Sequence, residues 1–200
     1  MILALASWVR LLWLAQSGDK PYKRQSTVGE AMSRQRGFSL IELLIVVAII
    51  LIIAAIAIPN LLRSKIATNE SSAVASIRTI TTAETTYASS WGSGYAAVLD
   101  NLGGPAPCTA ATGATACIID GLLSVAPYTK SGYTFAAEGN TLLGGINNGF
   151  EVSATPVAVD VTGKRAFCSD QTGVIRFNAT GVPIGTGVGS CASATLLVGN

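Results

Sequence analysis

Hydrophobic and polar positions divide the chain into regimes of different period. From 38 to 58 the residues are almost all apolar, and one carboxylate, Glu42, interrupts them near the start. A run of this length matches the ~20 apolar residues that carry a helix across a bilayer. Beyond Pro59 a stripe appears: Leu62, Ile66, Ala73, Ile77, Ile80, Tyr87 and Trp91 recur at spacings of three, four or seven. Lys65, Thr68, Asn69, Ser72, Ser76 and Thr79 fall on the other face. That is an amphipathic helix. Joined to the apolar run it predicts one helix over 38–90, ~80 Å long at ~1.5 Å per residue. Pro59 has no N–H for the carbonyl of Ala55, so a kink is expected there.

Trp91-Gly92-Ser93-Gly94 stops the helix. Residues 92–130 read as an irregular link with short helical stretches at 99–102 and 118–125. From Ser131 the period becomes two, and strands are expected at 133–137, 149–154, 165–168 and 173–177. Tight turns are expected at 160–163 and 170–173, the second closing a hairpin over 166–177. Residues 178–200 form a glycine-rich tail. The predicted class is α+β: a long kinked N-terminal helix whose C-terminal half packs on a small antiparallel sheet. The first half of that helix has no apolar partner within the chain.

Charge changes the picture at one end. Residues 1–37 hold six Lys/Arg against two Asp/Glu, whereas 38–200 hold seven against nine. The positive excess therefore precedes the apolar run and gives no direct nucleic-acid signal. Histidine is absent, which removes the commonest metal ligand and general base. No nucleophile-elbow pattern is present, so hydrolase chemistry has little support. Asp160 and Asp170 with nearby carbonyls are the strongest calcium candidates, in loops poor in carboxylates. No cofactor is expected. The four cysteines, Cys108, Cys117, Cys168 and Cys191, allow three pairings. Their spacing does not suit zinc, and disulfides fit a glycine-rich domain in an oxidising compartment.

Residues 1–31 do not form an ordinary secretory signal: no positive segment precedes the apolar start, and Ala15-Gln16-Ser17 is a weak cleavage pattern. Met32 reads as the true start, with 1–31 an over-extended reading frame or else a leader removed later. Arg34 and Arg36 precede the span and Arg63 and Lys65 follow it, so charge leaves orientation open.

Arg36-Gly37-Phe38-Ser39-Leu40-Ile41-Glu42-Leu43-Leu44-Ile45-Val46-Val47-Ala48-Ile49-Ile50, continuing to Ile58-Pro59-Asn60, closely resembles the N-terminus of class a type IV pilins and the related type II secretion pseudopilins. The resemblance covers 34 to about 65. It implies the pilin fold, divided as leader 1–37, membrane and filament-core segment 38–58, amphipathic half-helix 59–91, αβ loop 92–130, and sheet with a disulfide loop 131–200. It implies that a prepilin peptidase cuts between Gly37 and Phe38, that Phe38 is N-methylated, and that Glu42 is the family's characteristic glutamate in filament assembly. Cleavage sets a new amine one turn from Glu42, where it can meet that carboxylate or the one on a neighbour. The chain departs from the family at Leu51, where glycine is frequent, so helix unwinding would rest on Pro59 alone.

Of the pairings, Cys108–Cys117 is expected to close the loop and Cys168–Cys191 to tie the tail to a strand; the second resembles the C-terminal disulfide of many pilins. Disulfides would place residues 60–200 outside the cytoplasm and the N-terminus inside. The implied partners are further copies as a helical homopolymer, prepilin peptidase, an inner-membrane platform protein, an assembly ATPase, an outer-membrane secretin, and the inner membrane before assembly. The implied function is a structural subunit of a type IV pilus serving adhesion, twitching motility or DNA uptake. A secretion pseudopilin forming a periplasmic piston and a membrane-anchored periplasmic enzyme or binding protein are the alternatives. Two glycosylation sequons, at Asn69 and Asn178, are short patterns of little weight.

Overall fold

The computed structural model describes residues 38–104 and 107–196. Gly37 and the rest of the leader lie outside the described residues. Helix α1 runs Leu40–Trp91 and contains Pro59. Proline therefore does not end the helix, although it removes one ladder bond. A division between two compact units falls between Leu44 and Ile45. In the first, Leu43 N–H of α1 donates to the carbonyl of Ser39, the residue before the helix, at 3.2 Å.

The second unit carries the sheet. After α1 come a 3-10 turn, Leu99–Leu102, and a single helical turn α2, Gly121–Ser124. Asp120 caps α2 by accepting from the N–H groups of Leu122 and Leu123. The short helix expected within 118–125 is the single turn that this cap starts. The strands are β1 Thr129–Lys130, β2 Tyr133–Leu143, β3 Ile146–Pro156, β4 Ala166–Asp170, β5 Arg176–Asn178 and β6 Thr195–Leu196. They pair in chain order, β1-β2-β3-β4-β5-β6, and every pairing is antiparallel.

The hairpin expected over 166–177 forms, with Phe167 opposite Phe177 and Ala166 opposite Asn178. Strands β2 and β3 are longer than their apolar cores suggested. Leu143 and Ile146 pair across Gly144 and Gly145, both at positive φ (63° and 83°). A two-residue turn of that kind matches the strand twist and lets the ladder continue to its tip. The first residues expected in β5 instead belong to the turn after Asp170, where Gly173 N–H donates to the Asp170 carbonyl. The tail is not merely a tail: β6 pairs with β5.

One face of the sheet packs on α1. Ala73, Ile77, Ile80, Ala83 and Tyr87 meet Tyr133 and Phe135 of β2, Phe150 and Val152 of β3, and Phe167 of β4. Each fully buried large side chain contributes roughly 1.5–3 kcal/mol. Residues 133–138 of β2 alternate between buried and exposed, whereas 149–154 of β3 are buried on both faces. The second cover is the tail: Cys191 N–H donates to Glu151 at 2.8 Å, and Cys191 is bonded to Cys168. Ser76, expected on the polar face, is buried beside Ile77. Leu62, expected in the stripe, is 45% exposed.

Candidate assembly surface

The first described residues bring the candidate assembly groups together in sequence, and α1 spaces them. Phe38 precedes the helix and is 74% exposed. Glu42 lies in the first helical turn and is exposed. Among the described residues it makes no ion pair. Apolar side chains follow on every side of the helix: Leu40 is 76% exposed, Leu51 63% and even Val47 45%. A helix that is apolar all round requires lipid or other helices around it. Among the described residues, α1 is the helix long and apolar enough to cross a membrane. Pro59 is exposed within it.

Farther along, two carboxylates that the sequence reading passed over fasten α1 to the domain. Glu70 Oε1 accepts from the backbone N–H groups of Lys164 (3.0 Å) and Arg165 (3.1 Å). Its Oε2 accepts from both Arg165 Nε (2.9 Å) and Nη2 (2.7 Å), two charge-assisted bonds to one oxygen. Asn69 Nδ2 donates to the Thr162 carbonyl at 2.7 Å, so the first sequon's amide is engaged in the fold. The Arg165 guanidinium also lies over the rings of Phe167 and Phe177, 5.3 and 5.4 Å from their centroids. Tyr133 donates to the Arg165 carbonyl at 2.8 Å. Burial and, next, the Glu70 carboxylate push its phenol well above the usual tyrosine range, against the opposing Arg165 charge.

Glu84 is fully buried. Its Oε2 accepts from Ala96 N–H at 2.8 Å, and Oε1 has no partner among the described residues. Burial pushes its pKa up to about 7, and the Ala96 hydrogen bond offsets part of that rise. Both carboxylates sit seven residues from Ile77, one before and one after. A charged residue at stripe spacing was the available signal for a buried fastening.

The Glu84 shift has a definite sign. The folded protein holds the proton where the unfolded chain, near 4.5, has lost it. Its contribution is therefore complete below the unfolded value and falls as pH rises to about 7. Urea midpoints at pH 5 and pH 8 should show Glu84→Gln gaining stability relative to the parent at the higher pH. An unchanged difference between the two proteins would exclude this role.

Cys108 is joined to Cys117 and Cys168 to Cys191, with Cα separations of 5.8 and 5.7 Å. Cys168 pairs in register with Ser153, on the face opposite Phe167, so its bond holds the tail over the outer side. The Cys168→Ser/Cys191→Ser protein should lose about 3 kcal/mol, more than loss of the shorter Cys108–Cys117 loop. Chemical denaturation of both double variants checks the order. Asp170 is occupied by its own turn, accepting from Thr172 N–H at 2.9 Å.

The prokaryotic N-terminal methylation motif matches residues 32–58. The type IV major pilin protein PilA of Myxococcus xanthus is 48% identical over 54 residues, which is 27% of this chain. The match spans 24% of that relative's length. No solved structure matches the chain. The likeness to a type IV major pilin thus covers about a quarter of the chain and the methylation motif a shorter stretch toward its N-terminus, and the long apolar helix continued into an antiparallel-sheet domain is consistent with the α+β pilin fold.

Proposed function

We propose that the chain is a structural subunit of a type IV pilus rather than an enzyme. It is cut by prepilin peptidase between Gly37 and Phe38 and N-methylated on Phe38. The observation that carries this reading is the helix surface from Phe38 to Leu61, apolar and exposed on all sides, with one carboxylate one turn from the new N-terminus. Before assembly the bilayer covers that surface, with the N-terminus in the cytoplasm and the disulfide-bearing domain outside. After assembly the same surface of other copies covers it. Bending at Pro59 lets the two halves of α1 follow different paths in the filament.

In the polymer the methylated amine of one subunit meets Glu42 of a neighbour. A charge pair in an apolar setting costs far less than a lone charge, so Glu42 fixes the register at which copies stack. A platform protein, an assembly ATPase and a secretin supply extension and outer-membrane passage; adhesion, twitching motility or DNA uptake follows from display at the surface. N-terminal sequencing of material sheared from cells tests the proposal. A methylated Phe38 terminus in long filaments is expected. An uncut Arg36-Gly37 segment on a monomer would refute it, and short filaments retained in the periplasm would indicate a secretion pseudopilus.

A further inference from the structure

The place where α1 leaves its apolar stretch is flanked by a second element. The β3–β4 loop lies against the helix through Asn69 and Glu70, which bind Thr162, Lys164 and Arg165. A cleft of about 380 Å³ opens between them, lined by Arg63, Ile66, Asp160, Lys164 and the Glu70–Arg165 pair. Arg165 and Glu70 neutralise each other at 2.7 Å. That leaves Arg63 and Lys164 against Asp160, with Lys65 adjoining on the helix. Arg63, Lys65 and Lys164 are exposed and make no ion pair among the described residues. The same loop holds Val157, Val159 and Val161 in water, 58%, 45% and 56% exposed. Scattered exposed cations usually mark a solvated face. Cations lining a cleft, beside three exposed valines and next to an exposed apolar helix, do not fit that description.

Arg63 lies five residues beyond Ile58, about 7.5 Å along the axis. The headgroup layer outside the hydrocarbon is of similar depth, roughly 5–8 Å on each side. The geometry points to a headgroup seat: Arg63 and Lys164 bind the phosphate of an anionic phospholipid while the valines of the β3–β4 loop enter the interface beside the span. The inference rests on the membrane-anchored state proposed above. It gives that state an ordered contact between domain and bilayer, one that must be broken when a subunit leaves for the filament.

The test uses the full-length protein in neutral detergent, titrated with phosphatidylglycerol or phosphatidylcholine of matched acyl chains and read by native mass spectrometry. Phosphatidylglycerol should bind at least tenfold more tightly, and Arg63→Gln/Lys164→Gln should make the two lipids equal. Neither side chain makes a hydrogen bond among the described residues, so the double variant should unfold at the parent temperature. Equal lipid affinities in the parent, a preference that survives the double substitution, or inorganic phosphate binding as tightly as the lipid each overturns the seat. Lipid-independent dimers formed through these residues would assign the cleft to a second copy and also overturn it. Flotation with vesicles separates the two readings. Protein that fails to float removes the anchored state and the seat with it. Protein that floats but shows no lipid preference removes the seat alone.

Discussion

Replacing Glu42 by alanine should abolish filaments while leaving the subunit in the membrane. The carboxylate disfavours membrane insertion, by up to ~3 kcal/mol for an ionised side chain at the centre of a span and less near an end. Its removal cannot weaken the anchor. In the proposed filament the sign would reverse, because the amine of a neighbouring Phe38 would lose its counter-charge among apolar side chains. Leaving one partner of a buried pair alone costs about 3–5 kcal/mol. At ~1.4 kcal/mol per decade that is a hundredfold or more in each subunit's association constant. Sheared surface protein should therefore fall at least ~100-fold against an unchanged membrane fraction, measured by immunoblot. Glu42→Gln should fail similarly, since it keeps the shape and loses the charge. Normal filaments from either variant would remove Glu42 from the assembly account.

The Glu70→Ala protein should lose about 4 kcal/mol of domain stability. The substitution strips acceptors from two backbone N–H groups and from Arg165 together. Each orphaned donor costs about 1–3 kcal/mol where water cannot reach it, and Arg165 keeps partial access to water, which moderates the total. For a domain of this size the loss lowers the melting temperature by roughly 8–16 °C. Arg165→Ala should cost less, because the two backbone bonds to Glu70 survive it. Thermal unfolding of the three proteins in one detergent gives the ranking. Should Arg165→Ala prove the more damaging, the backbone bonds are not what fastens the helix to the β3–β4 loop.

Both substitutions touch the same helix, and they differ in how visible they were in the sequence. Glu42 stood out because nothing polar surrounds it. Glu70 and Glu84 are hidden among ordinary amphipathic residues, and only their seven-residue spacing from Ile77 marks them. The partners of Glu70 lie 94 and 95 residues away, beyond any local pattern. The long helix was legible because its two periodicities are strong, and the sheet's centre because aromatic and β-branched residues alternate there. The outer half of the β2–β3 hairpin was not. Thr141, Asn147 and Asn148 carry no apolar signal, and a glycine pair rather than burial sustains that ladder. Strand β6 was missed because a two-residue strand has no period; β5 and the Cys168–Cys191 bond set its place. Ser76 shows that a small hydroxyl can be enclosed where the helix comes close to its neighbours.

The meander order of the sheet matters once many copies stand side by side. Among the described residues its outermost strands, β1 and β6, each have two residues; β2 and β3 pair with each other over most of their length, and beyond β1 the outer edge of β2 is partly taken by Ala97, which accepts from Gly139 N–H, and by Val98, which bridges to Glu138. Long unpaired strands act as templates for cross-β aggregation, and crowding raises that hazard. A filament would hold these domains at very high local concentration for as long as it exists. Short outer strands leave little ladder for an adjoining domain to extend, so in the proposed filament contacts between copies would be confined to side chains.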